Sequence, residues 1–142
     1  MKVKDVMTQN PEAIRSDDMV VKAAEVMRNI DVGVVPVFEG DKAVGILTDR
    51  DIVVRLVAEN KDPESTKAAE IMSQDVVSCS DDTDAREAAG MMEEKKLRRL
   101  LVKNDQDKVV GVVSLGDLAV SLEGFRLPGK GAVAGSYRRP RN

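Results

Sequence analysis

Two short phrases, 45-GILTDRD-51 and 111-GVVSLGD-117, each carry a hydroxyl three residues ahead of a carboxylate, directly after a β-rich apolar run. If a helix opens there, Thr48 or Ser114 sits at its N-terminus. Free backbone N–H groups and the positive end of the helix dipole favour an anion such as phosphate at that point. Asp51 or Asp117, an acceptor-only carboxylate, can take both hydroxyls of a sugar diol such as ribose. A hydrogen bond to a charged group contributes about 1.5 to 3 kcal/mol, enough to select a ribose over a deoxyribose. Arg50 lies inside the first phrase, and Arg98 and Arg99 precede a β-rich run of the second half. The same Thr/Ser-x-x-Asp spacing also closes a capping box on the following helix, so the residues alone leave both uses open.

Composition excludes several other chemistries; carboxylate pairs stay open for acid/base work, although the acids here recur at turns and helix starts, where capping explains them. The 142 residues contain no histidine and one cysteine, Cys79, which removes Ser/His/Asp and Cys/His catalysis and leaves no soft ligand set for zinc or copper. Cys79 lies in the apolar run 76-VVSC-79 and reads as a small buried residue. Apolar residues make up 42% and aromatics 2%, so Val, Ile, Leu, Met and Ala must fill the core. The methionines at 7, 27, 72, 91 and 92 read as part of that filling. No run of 18 apolar residues and no signal-peptide pattern is present; the expectation is a cytoplasmic protein without a membrane partner. Net charge is −3. The segment 123–142 holds five basic residues and one acid and is therefore +4, leaving −7 for the preceding 122 residues. An acidic body argues against nucleic acid as a partner.

The elements that must position these residues come in duplicate. Residues 6–40 overlay 71–105 at an offset of 65, and after one inserted residue the offset is 66: Met7 meets Met72, Ala23 and Ala24 meet Ala88 and Ala89, Asp51 meets Asp117. Each copy begins with a short Met-containing helix and a short apolar strand, Ala13-Ile14 or 76–79. An acidic helix start follows at Asp17-Asp18 or Asp82-Thr83. Val20, Ala23, Ala24, Met27 and Ile30 then share one helical face, as do Ala85, Ala88, Ala89 and Met92. Hairpins are expected at 34–38 with 43–47 and at 100–103 with 109–113, each followed by a second helix, 51–59 or 115–122. The fold expected is α+β, two β-α-β-β-α repeats packed with pseudo-twofold symmetry. The boundaries are 1–59, a linker 60–66 around Pro63, 67–122, and a basic Gly/Pro-containing tail 123–142 that is mobile or docks on a partner.

The doubled set 5-DVMT-8 and 70-EIMS-73, 23-AAEVM-27 and 88-AAGMM-92, 34-VVPV-37 and 99-RLLV-102, and the two opening phrases resembles a tandem pair of CBS domains, a Bateman module, over residues 1 to about 122. The resemblance implies two clefts between the repeats, a homodimer, and a non-catalytic regulatory role. Its ligands would be adenine nucleotides of the AMP, ADP or ATP class, with no cofactor or metal, and the signal would pass to a separate, unknown effector protein. It maps the phosphate and ribose contacts onto Thr48, Asp51, Ser114 and Asp117 and points Arg98 and Arg99 at a phosphate held by the other repeat, with Arg50 assisting. The base would lie against aliphatic backbone near Ile14 and Val35. Uncharged Gly33 and Val34 stand in the first repeat where Arg98 and Arg99 stand in the second, so the two sites are expected to be unequal, the better one combining Thr48, Arg50 and Asp51 with Arg98 and Arg99. Leu101 in place of Pro36 and Leu115-Gly116 in place of Asp49-Arg50 depart further from the pattern. The alternatives are an interaction scaffold without ligand and a binder of S-adenosylmethionine or NAD.

Overall fold

The computed structural model describes residues 1–74 and 76–121; the basic tail expected at 123–142 lies outside them. In chain order it runs through a 3-10 turn Val3–Asp5, β1 Thr8–Gln9, β2 Ile14–Arg15, α1 Val20–Ile30, β3 Val34–Glu39 and β4 Lys42–Thr48. A helix opens at α2, Asp49–Asp51, and continues as a π-helical segment, Ile52–Val57. Then come α3 Ala68–Ile71, β5 Ser78–Ser80, α4 Ala85–Lys95, β6 Arg99–Lys103, β7 Val109–Ser114 and α5 Leu115–Ser121. The mixed α+β class and the two sheet-plus-helix repeats expected from the periodicity are present.

The described residues divide into two compact units, one within Pro11–Val76 and the other Met1–Asn10 together with those from Val77 to Ser121. In the first, β2 pairs parallel with β3 (Ile14 with Val37) and β3 antiparallel with β4 (Val35 with Leu47). Ile14, Val20, Ala23, Val35, Val37, Leu47, Leu56, Ala68 and Ile71 form its core. In the second, β5 pairs parallel with β6 and β6 antiparallel with β7. Val3, Cys79, the buried face of α4, Leu100, Val102, Val113 and Leu118 fill its core.

The short Met-containing segment that opens each copy packs in the unit of the other copy. The Ala85 N–H donates to the Met1 carbonyl (2.9 Å), the Val3 N–H to the Thr83 carbonyl (2.8 Å) and the Lys4 N–H to the Asp81 carbonyl (3.1 Å). Sixty-five residues along, Val20 donates to Thr66 (2.8 Å), Ala68 to Asp18 (2.8 Å) and Ala69 to Ser16 (3.0 Å). The pattern extends to the sheet edge: β1 pairs antiparallel with β7 (Thr8 with Val112), and Ser73 bridges Ile46 in the same position of the other sheet.

This docking changes two details of the expected helices. α1 starts at Val20 with Met19 as N-cap and no side-chain cap, and α4 starts at Ala85, capped by Asp84. Asp18 instead accepts the Arg15 N–H at 2.8 Å. The first N–H groups of both helices are taken by carbonyls of the docked segments, which removes much of the need for a side-chain cap. The expected α4 face is buried throughout, whereas in α1 Ala24 is exposed and Ile30 is 43% exposed. Ile30 is the last helical residue before Asp31 turns left-handed (φ 57°), and Val26 packs against the core in its place.

Gly45 is a glycine because a neighbour occupies its Cβ space. An added Cβ would lie 2.6 Å from the Met72 sulfur and 2.8 Å from the Ser73 carbonyl oxygen. Gly111 meets Met7 and the Thr8 carbonyl in the same way. Since the carbonyl cannot swing aside, Gly45→Ala should lower stability by about 1 to 3 kcal/mol, read as a drop in the urea midpoint. A wild-type midpoint would show that the Met72-Ser73 segment is not seated there.

Candidate functional site

In the first-repeat unit β4 delivers Thr48 to the start of α2, and the two residues of the phrase bind each other. The Thr48 N–H donates to Asp51 Oδ2 and the Asp51 N–H to Thr48 Oγ1, both at 3.0 Å. This is the capping box anticipated from the spacing. Asp51 is only 8% exposed, and two residues absent from the sequence reading complete its surroundings. The Ser73 hydroxyl reaches both carboxylate oxygens at 3.4 Å, and Arg55 Nε lies 3.9 Å from Oδ1. The four-residue step from Asp51 to Arg55 was visible in the sequence. Ser73 gave no such signal, because it arrives on the docked segment.

In the second-repeat unit the phrase repeats its local geometry. The Ser114 N–H donates to Asp117 Oδ2 and the Asp117 N–H to Ser114 Oγ, again at 3.0 Å. Arg99 is paired with Ser114 across β6 and β7, so both side chains project from one sheet face. The Leu115 N–H binds the Arg98 carbonyl at 2.8 Å. Arg98 is exposed and Arg99 half-buried; Asp117 is half-buried. Arg50 is exposed next to Asp51. Ile14 and Val35 are 2% and 0% exposed, backbone included, within their core.

Cys79 is buried, and burial, with the charges of Asp81 and Glu87 adding, pushes its thiol up to about 11. The folded state therefore holds its proton where the unfolded thiol has lost it. This contribution is complete below pH 9.0 and falls away as pH rises towards about 11. Cys79→Ala should flatten that alkaline decline in urea midpoint; an identical decline would contradict the assignment. Asp82, exposed, is held below the usual carboxylate range by hydrogen bonds from Lys4 and Lys2. Among the described residues no group of three His, Cys, Asp or Glu could hold a metal, and no helix is long and apolar enough to cross a membrane.

Two sheet-plus-helix units, each ending a β-hairpin in a hydroxyl-carboxylate helix start, define a class, and comparison agrees: the CBS domain model matches residues 3–58 and 68–124. The chain belongs to the CBS domain family, as a tandem pair. It is 38% identical over 119 residues to the CBS domain-containing protein YhcV of Bacillus subtilis (strain 168), covering 84% of each. Hypoxic response protein 1 of Mycobacterium tuberculosis (strain CDC 1551) is 30% identical over 117 residues, covering 82% of this chain and 81% of that protein. Among solved structures, the CBS domain pair of protein MJ0100 in complex with 5′-methylthioadenosine and S-adenosyl-L-methionine aligns with a TM-score of 0.73 at 27% identity, over 84% of this chain and 94% of that one.

Proposed function

We propose that this chain is a non-catalytic regulatory module of the cytoplasm that binds an adenine nucleotide of the AMP, ADP or ATP class and signals to a separate protein. The buried Asp51 carboxylate, repeated as Asp117, carries the reading. It is an acceptor fixed in the first turn of the helix that follows β4, suited to the two hydroxyls of a ribose. Arg50 in the first repeat and Arg98 and Arg99 in the second supply cationic charge for phosphate, which the acidic body would otherwise repel. Val53, Val54 and Val57, with Val120 of α5, are 45–60% exposed and form the faces through which a second copy binds; sedimentation at increasing concentration tests the homodimer.

A second reading, S-adenosylmethionine or a related sulfonium or thioether nucleoside, is favoured by the ligands of the MJ0100 pair. These share adenine and ribose with AMP and lack its phosphate. Thermal shift against AMP, ADP, ATP, NAD and S-adenosylmethionine separates the readings. A ligand at 100 times its dissociation constant stabilises the native state by about 2.7 kcal/mol. A shift confined to S-adenosylmethionine would remove the phosphate role of the arginines, and no shift with any ligand would leave an interaction scaffold.

A further inference from the structure

Arg55 has no part in the phrase shared by the two repeats, and the second repeat has Ser121 in its place. Its guanidinium nonetheless occupies the centre of a small network. Nη1 donates to the carbonyls of Ile71 (3.2 Å) and Met72 (3.1 Å), while Nε faces Asp51 Oδ1 at 3.9 Å. Residue 55 stands one turn on from residue 51, its ordinary helical neighbour, within the π-helical segment Ile52–Val57, closed by the Ala58 N–H on the Val53 carbonyl at 2.9 Å. Such π-helical turns concentrate at functional positions.

The acceptor capacity of Asp51 shows what the network accomplishes. A carboxylate offers about four lone-pair positions. Oδ2 takes the Thr48 N–H, and the single Ser73 proton is shared between the two oxygens. Oδ1 therefore keeps capacity for an incoming hydroxyl, and Arg55 Nε stands 3.9 Å from that same oxygen. The Arg55 side chain is 51% exposed, so the ion pair itself adds little to stability. Its consequence is orientation.

We infer that Arg55 is a positioning residue for Asp51, tying its carboxylate to the Ile71–Ser73 segment so that the first repeat distinguishes a ribose from a deoxyribose. This rests on the ribose-binding reading above. The test is the ratio of dissociation constants for 2′-deoxy-AMP and AMP, measured by calorimetry on wild type and Arg55→Gln, with the melting temperature of each recorded. The expected result is a ratio that falls about fivefold or more, equivalent to one ordinary hydrogen bond, with a melting temperature close to wild type. A merely structural arginine would weaken both ligands alike and leave the ratio in place. Wild-type discrimination retained in Arg55→Gln overturns the positioning role and leaves the function standing. A wild type that binds AMP and 2′-deoxy-AMP equally, or neither, overturns the ribose reading and this inference with it. If Arg55→Gln does not fold, Arg55→Met, which keeps the aliphatic stem, gives the same ratio.

Discussion

Replacing Asp51 by alanine is expected to weaken AMP binding by about ten- to a hundredfold, the cost of losing hydrogen bonds to a charged acceptor. The residue is 8% exposed and held by Thr48 and Ser73 with Arg55 beside Oδ1, so its carboxylate is already in place before ligand arrives and no ordering cost offsets the contact. The substitution also removes half of the capping box, which lowers stability by about 1 kcal/mol. Affinity must therefore be measured by calorimetry well below the melting temperature. Asp117→Ala provides the comparison: the second repeat has no arginine in the position of Arg55, and the loss there should be smaller. Undiminished AMP affinity in Asp51→Ala would refute the ribose role.

Val3→Asp should unfold the second-repeat unit. Val3 is three residues from the start of the sequence, yet it is 0% exposed and packs with Cys79, the α4 alanines and Leu118. An unpaired carboxylate placed there costs several kcal/mol after relaxation, a large share of a total stability of about 5 to 15 kcal/mol. Hydrogen exchange should show β6 and β7 losing protection. Thr8→Asp is the control, because Thr8 is exposed and surface changes usually stay within about 0.5 kcal/mol. If Val3→Asp melts like wild type, the N-terminal segment is not seated in that core.

The two predictions draw on different kinds of information. The Asp51 argument begins in the sequence: a hydroxyl and a carboxylate three apart after a β-rich run form a local pattern, and the Thr48–Asp51 and Ser114–Asp117 bonds follow from it. The hairpins were equally legible, since Val34–Glu39 and Lys42–Thr48 announce themselves by β-branched runs around a short polar turn. The Val3 argument has no such source. Neither the burial of Val3 nor the approach of Ser73 to Asp51 follows from the residues within a dozen places along the chain.

Periodicity and short-range spacing are properties of neighbouring residues, so the duplication, the order of helices and strands in each copy, and the family were legible along the chain. Tertiary structure decided which copy each opening segment serves, where α1 and α4 begin, and which side chains surround Asp51. Those outcomes depend on carbonyl and N–H groups separated by dozens of residues, whose pairing is chosen by the burial of Val3 in one core and of Ala68 and Ile71 in the other.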